Sequence, residues 1–142
     1  FPSANALGAS LLMRAELMRE HGIDVIPEYV KTHSSVYLHV AQNLMVAGGG
    51  VASTLQQQKA DVRDSLRILY HTRKVNPHPF VAHPRVPESH VRRVKEALLA
   101  MGEDDKGREL LARIPMQSIT EASLSNYEPI QKLGLEEFGG PM

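Results

Sequence analysis

Three consecutive glycines, Gly48-Gly49-Gly50, follow the β-prone run Met45-Val46-Ala47 and stand just before the capping residues Ser53 and Thr54. Glycine has no Cβ, so such a run lets backbone come close to other atoms or take positive φ. A strand that ends in glycine and turns at once into a capped helix needs neighbours built the same way. The chain supplies them. Tyr29-Val30-Lys31 is short and β-prone, and Thr32-His33-Ser34-Ser35 caps a helix over about residues 35–43, with Val36, Leu38, Val40 and Ala41 apolar and Asn43 at its end. Ser53 or Thr54 caps a helix over 53–60, and Ser65 to Tyr70 (SLRILY) alternates as another strand. Short strands alternating with helices predict an α/β fold of three layers, a mostly parallel sheet with flanking helices.

Ahead of these elements, Leu7, Leu11, Ala15 and Met18 recur at helical spacing, with Ser3 or Asn5 as the cap and His21-Gly22 as the C-terminus. The second half changes texture. His71 to Pro79 is a proline-rich crossing segment, and Phe80 to His83 reads as a short strand. Pro87 opens a helix striped with Val91, Val94, Leu98 and Met101 and ended by Gly102. A second helix starts at Asp105 with Leu110, Leu111 and Ile114 apolar, and a short one lies around 127–133. The tail EEFGGPM is expected to fray.

Composition removes several classes of function. Lys+Arg and Asp+Glu are both 16, so no net field draws nucleic acid or an anionic membrane. With no cysteine there is no disulfide, thiolate metal site or thiol nucleophile. The apolar runs fall short of the roughly 20 residues a spanning helix needs. No signal peptide is expected within the chain, a property shared by mature secreted proteins. At 142 residues, the sequence makes one domain or one lobe of something larger.

In a parallel α/β layer, ligands settle outside the carboxyl ends of the strands, where helix N-termini offer free N–H groups. Three junctions share that chemistry: Ser3-Ala4-Asn5, Thr32-His33-Ser34, and Gly48 to Ser53. Converging, they would make an oxyanion site that needs no Lys or Arg. Plainer readings stand beside this: His33 as a capping or surface histidine, and the glycines as a turn shaped for packing. The glycine run is neither a P-loop nor GxGxxG. His71, His78 and His83 match no usual zinc spacing, so no metal and no cofactor is expected. Ser3, Ser34 and Ser53 lack a nucleophile elbow, and no acid is placed to orient His33, so an enzyme is not expected.

The segments PSANALGASLLMRAELMREHGI, KTHSSVYLHVAQN, VAGGGVAST, NPHPFVAHPRVP and NYEPIQKLGL resemble the phosphate/phosphite/phosphonate-binding proteins of ABC importers, which are type II periplasmic binding proteins. The resemblance runs along almost the whole chain and corresponds to the second half of that family. It implies that residues 1–75 form the second lobe. Residues 76–142 would be a crossing strand and C-terminal helices that pack on a first lobe missing here. It implies an extracytoplasmic solute-binding component, periplasmic or extracellular and open to lipid anchoring, that takes a small oxyanion and delivers it to a membrane permease. The ligand-binding residues carried over are Ser3, Ala4, Asn5, Thr32, His33, Gly49, Gly50 and Ser53, with His33 on an oxyanion oxygen. The acid that often ends the family's glycine-rich strand has no counterpart in Gly49-Gly50-Val51-Ala52, which favours a plain oxyanion over an aminoalkylphosphonate. Apolar surface left on the later helices would suit a homodimer. A sensing or docking module of the same fold is the alternative role, and a hydrolase a more distant one.

Overall fold

The computed structural model describes residues 1–114, 116 and 118–140. Phe1–Lys74 and the chain from Ile130 onward form one compact unit, and Val75–Pro129 forms a second.

The first unit is built on one long helix. It opens with a π-helical stretch, Leu7–Leu12, and runs straight on as α1, Met13–His21. Ala6 O accepts from both Ser10 N at 2.9 Å and Leu11 N at 3.1 Å, the widened turn that starts the π stretch. At the far end Gly22 takes φ 65, with Gly22 N donating to Met18 O and Ile23 N to Leu17 O. This is the left-handed glycine closure expected from His21-Gly22. Ala9, Leu12 and Ala15 are buried along this helix and form the core with Val36 and Tyr37 of α2 (His33–Ala41) and with Leu135 and Phe138 from the chain's end. Two short helices, α3 (Ala52–Gln56) and α4 (Ala60–Arg63), pack on α2.

The second unit contains α5 (Glu88–Ala100) and α6 (Asp105–Ala112). Asp104 caps α6, its Oδ1 accepting from Gly107 N at 2.7 Å. Among the described residues of this unit Leu111 is the large apolar side chain that is buried, whereas α5 buries none of its residues. Two bonds join the ends of the unit: Asn76 Nδ2 donates to Asn126 O at 2.7 Å, and Tyr127 OH to Pro77 O at 3.0 Å. A last helix, α7 (Glu128–Gln131), begins at the end of this unit.

The α/β expectation is overturned. Among the described residues there is no strand and therefore no sheet. Propensity for extended structure makes a strand only where a neighbouring strand takes the backbone groups. A single rung of parallel type does form: Phe1 N donates to Glu28 O at 2.7 Å and Val30 N to Phe1 O at 2.9 Å. It goes no further because Lys31 turns back with φ 73, so that Thr32 N takes Val30 O, the acceptor the next rung would need. Leu44 N and Met45 N both donate to His39 O, which ties that run to the end of α2. Within Ser65–Tyr70, Ile68 and Leu69 are exposed, and Tyr70 is held by side chains of α1. Phe80 and Val81 are exposed, and the chain turns directly after them, with Val86 N on His83 O.

Several boundaries also move. The first helix is preceded by Ala6 with no side-chain cap, in place of Ser3 or Asn5, and α3 by Val51, in place of Ser53 or Thr54. Helix α2 starts at His33 and is closed by Gln42, with Asn43 following at φ 58. The tail does not fray over its described part: a 3₁₀ turn at Glu136–Phe138 buries Phe138 under the guanidinium groups of Arg14 and Arg19, 5.8 and 5.1 Å from its ring centre.

Candidate functional site

The head of α2 follows from local chemistry. Lys31 reverses the chain, and Thr32 follows in extended conformation, φ −130 and ψ 154. Its Oγ1 accepts from Ser35 N at 3.0 Å, and its carbonyl accepts from Val36 N at 3.2 Å. Within the described residues this leaves the amides of His33 and Ser34 as the open donors of the first turn, at the positive end of the helix dipole. His33 Nδ1 is buried there without a hydrogen-bond partner. Ser34 Oγ accepts from Gln58 Nε2 at 3.1 Å, which ties the head of α2 to the chain after α3.

The glycine segment lies against α2 and the start of the first helix. A Cβ at Gly48 would strike Val36 and crowd Val40 at 3.3 Å; one at Gly49 would strike Ala9 O and lie 2.8 Å from the Phe1 ring; one at Gly50 would lie 2.6 Å from Cε1 of Tyr37. Only glycine permits this approach, so backbone here replaces side chain at the contact. Directly after it, Tyr37 OH donates to Val51 O at 2.8 Å and accepts from Val51 N at 2.9 Å. Tyr37 is 7% exposed, and burial pushes its phenol above the usual tyrosine value, with the Val51 backbone bond opposing.

Of the sequence-derived residues, Thr32 and His33 stand at the head of α2, Gly50 packs on Tyr37 of that helix, and Gly49 packs on Phe1 and Ala9 O. Asn5 turns elsewhere: its Oδ1 accepts from Gly140 N at 3.1 Å, and Ala4 lies beside Gly140. Ser3 is exposed, and its carbonyl accepts from Ala6 N at 3.5 Å. Ser53 is exposed within α3. Sequence reasoning missed Tyr37, which lies within the expected helix of 35–43 but was not singled out, and Ser10, which is 0% exposed with its hydroxyl unpartnered. An aromatic residue on a helix followed by a glycine triplet was the available signal for the first. Ser10 had none beyond its place in an apolar stripe.

A family model described as ABC transporter, phosphonate, periplasmic substrate-binding protein matches residues 1–127. The chain belongs to this family. No curated protein and no solved structure matches it significantly. The phosphonate-binding family consists of periplasmic substrate-binding components of ABC transporters, and the matched region takes in the whole of α2 and the glycine segment.

A second polar region was also missed. Glu16 is 3% exposed, yet it accepts from Arg73 Nε at 2.6 Å, from Arg73 N at 3.3 Å and from Tyr70 OH at 2.9 Å. Arg73 also pairs with Glu20. Arg19 pairs with Glu137 and donates to Leu133 O at 2.5 Å and Gly134 O at 2.9 Å. The hollow these groups line with Leu12, Ala15, Leu133 and Leu135 is about 30 Å³, room for about one water. Tyr70's phenol is pushed up to about 12, chiefly because it donates to Glu16. Every cation in this cluster is committed to a carboxylate or carbonyl, and the cluster holds the chain together without offering space for a ligand. Among the described residues, no group of His, Asp and Glu could hold a metal ion, and no helix is long and apolar enough to cross a membrane.

Proposed function

We propose that this phosphonate-binding family member binds a small oxyanion of the phosphate, phosphite or phosphonate class at the head of α2, outside the cytoplasm, and presents it to an ABC permease. The observation that carries the reading is His33 Nδ1, buried and unpartnered in the same turn as two open amides. An unsatisfied buried polar atom costs on the order of 1–3 kcal/mol, and a ligand that bonds it recovers that cost. Gly49 and Gly50 would add backbone N–H donors, and Ser3, Ala4, Asn5 and Ser53 would join on closure around the ligand. For Asn5 this requires exchanging its bond to Gly140 for one to the anion. No carboxylate stands in Gly49-Gly50-Val51-Ala52, which favours an anion without an amino group. Residues 1–75 act as the ligand-binding lobe in this reading, residues 76–142 as the crossing and packing segment, and the protein is a binder and not an enzyme.

Exposed apolar residues on the extended segments support a covering surface from further polypeptide: Ile26 is 95% exposed and Val46 102%. A second copy of the chain is one such cover, and the same surface favours a docking role as the second reading. Titration calorimetry with phosphate, phosphite, methylphosphonate and 2-aminoethylphosphonate tests the assignment. Heat of binding for the first three, reduced at least tenfold in His33→Ala, is expected. Silence toward all four anions would reject it in favour of docking.

A further inference from the structure

Val51 is extended, φ −113 and ψ 129, with no strand beside it among the described residues to take its backbone groups. One phenol takes them instead: Tyr37 OH gives its proton to Val51 O at 2.8 Å and receives Val51 N–H at 2.9 Å. A hydroxyl has one proton to donate and lone pairs to accept, so a single atom satisfies both backbone groups of one residue. The donor and acceptor lie on a side chain that is itself buried in the core, next to Val36. Gly50 rests on the same ring, close enough that a Cβ there would overlap it. Gly48 rests on Val36 and Val40 of the same helix. The backbone from 48 to 51 is therefore held to α2 by packing at its start and by hydrogen bonds at its end.

We propose that Tyr37 is a positioning residue for ligand binding: it fixes the amides of Gly49 and Gly50 relative to the open amides and imidazole at the head of its own helix. The proposal rests on the oxyanion reading above and adds to it a residue that does not touch the ligand. Thr32, His33 and Tyr37 lie within six consecutive residues, so one rigid helix carries both the donors at its head and the clamp on the second donor group. Donors fixed in advance bind an anion without the cost of ordering them at the moment of binding. Glycine otherwise has the largest conformational freedom to lose, so this segment gains most from such a clamp.

The test is Tyr37→Phe, which keeps the ring against Gly50 and removes only the hydroxyl. Amide exchange at Val51 should quicken at least tenfold, and methylphosphonate affinity should fall about tenfold. The amide signals of His33 and Ser34 in the free protein should stay in place. Incorporation of 3-fluorotyrosine at position 37, which restores the hydroxyl, should recover both readouts. Gly50→Ala, whose Cβ would overlap the hydroxyl and the ring of Tyr37, should lower affinity in the same way. Unchanged exchange at Val51 in Tyr37→Phe would overturn the clamp. Quickened exchange with unchanged affinity would overturn its role in binding. If the wild-type protein binds no anion, the functional reading fails, and the exchange arm alone decides the clamp.

Discussion

The first unit holds two polar regions that solve opposite problems. Around Glu16, full charges meet opposite charges: Arg73 bridges Glu16 and Glu20, and Arg19 pairs with Glu137. Around the head of α2 the groups are uncharged: a threonine cap, a phenol on one residue's backbone, glycine amides and an imidazole without a partner. Arg19, Arg73 and their carboxylates are satisfied, and the space among them is about the size of one water, while Arg14 Nε nearby is buried without a partner. The uncharged region has donors to spare. Charge in this unit holds the chain in place, and the open amides and the unpartnered imidazole nitrogen stand where charge is sparse. The nearest cation in sequence to the open turn is the exposed Lys31.

This contrast fails most visibly if Glu16 is removed. Glu16→Ala removes the buried charge itself and leaves a half-exposed Arg73 that still pairs with Glu20, so the loss is that of the hydrogen bonds Glu16 accepts from Tyr70 and Arg73. Glu16→Ala should therefore lower stability by about 2 kcal/mol in urea unfolding, yet leave anion affinity within about twofold. A loss of affinity matching the loss of stability would mean that the two regions are not separable.

A smaller effect sharpens the charged side alone. Tyr70's phenol, bonded to Glu16, titrates near 12 when folded against about 10 when unfolded. Between those values the folded chain keeps a proton the unfolded chain has released. The contribution is complete below pH 10 and is lost as pH climbs toward 12. Tyr70→Phe should make the alkaline decline in stability shallower over that window, read from urea midpoints at pH 9, 10 and 11. An unchanged slope would show that the Tyr70–Glu16 bond does not persist in solution.

Local chemistry was legible in the sequence, and long-range pairing was not. Gly22 as a left-handed cap and Thr32 as an N-cap follow from residue type and spacing, because both act within one turn. The family likeness was legible too, since it rests on segments spread along the chain. The sheet was misread because Tyr29-Val30-Lys31 and SLRILY have the composition of strands, while hydrogen bonds to distant residues decide whether strands form. At Lys31 a single positive φ diverted the acceptor that the ladder needed. Ser3 and Asn5 look like caps, but the π-helical start at Leu7 moved the helix head past both. Arg73 lies 57 residues from Glu16, and no periodic pattern links positions so far apart.

The central claim is that an uncharged turn, not the arginine cluster, receives the anion. Titrating isotope-labelled protein with methylphosphonate and following every backbone amide tests this directly. Shifts at His33, Ser34, Gly49 and Gly50 that follow one binding curve, with Arg19 and Arg73 unmoved, are the predicted result. Shifts centred on Arg19 and Arg73, with the head of α2 silent, would contradict it.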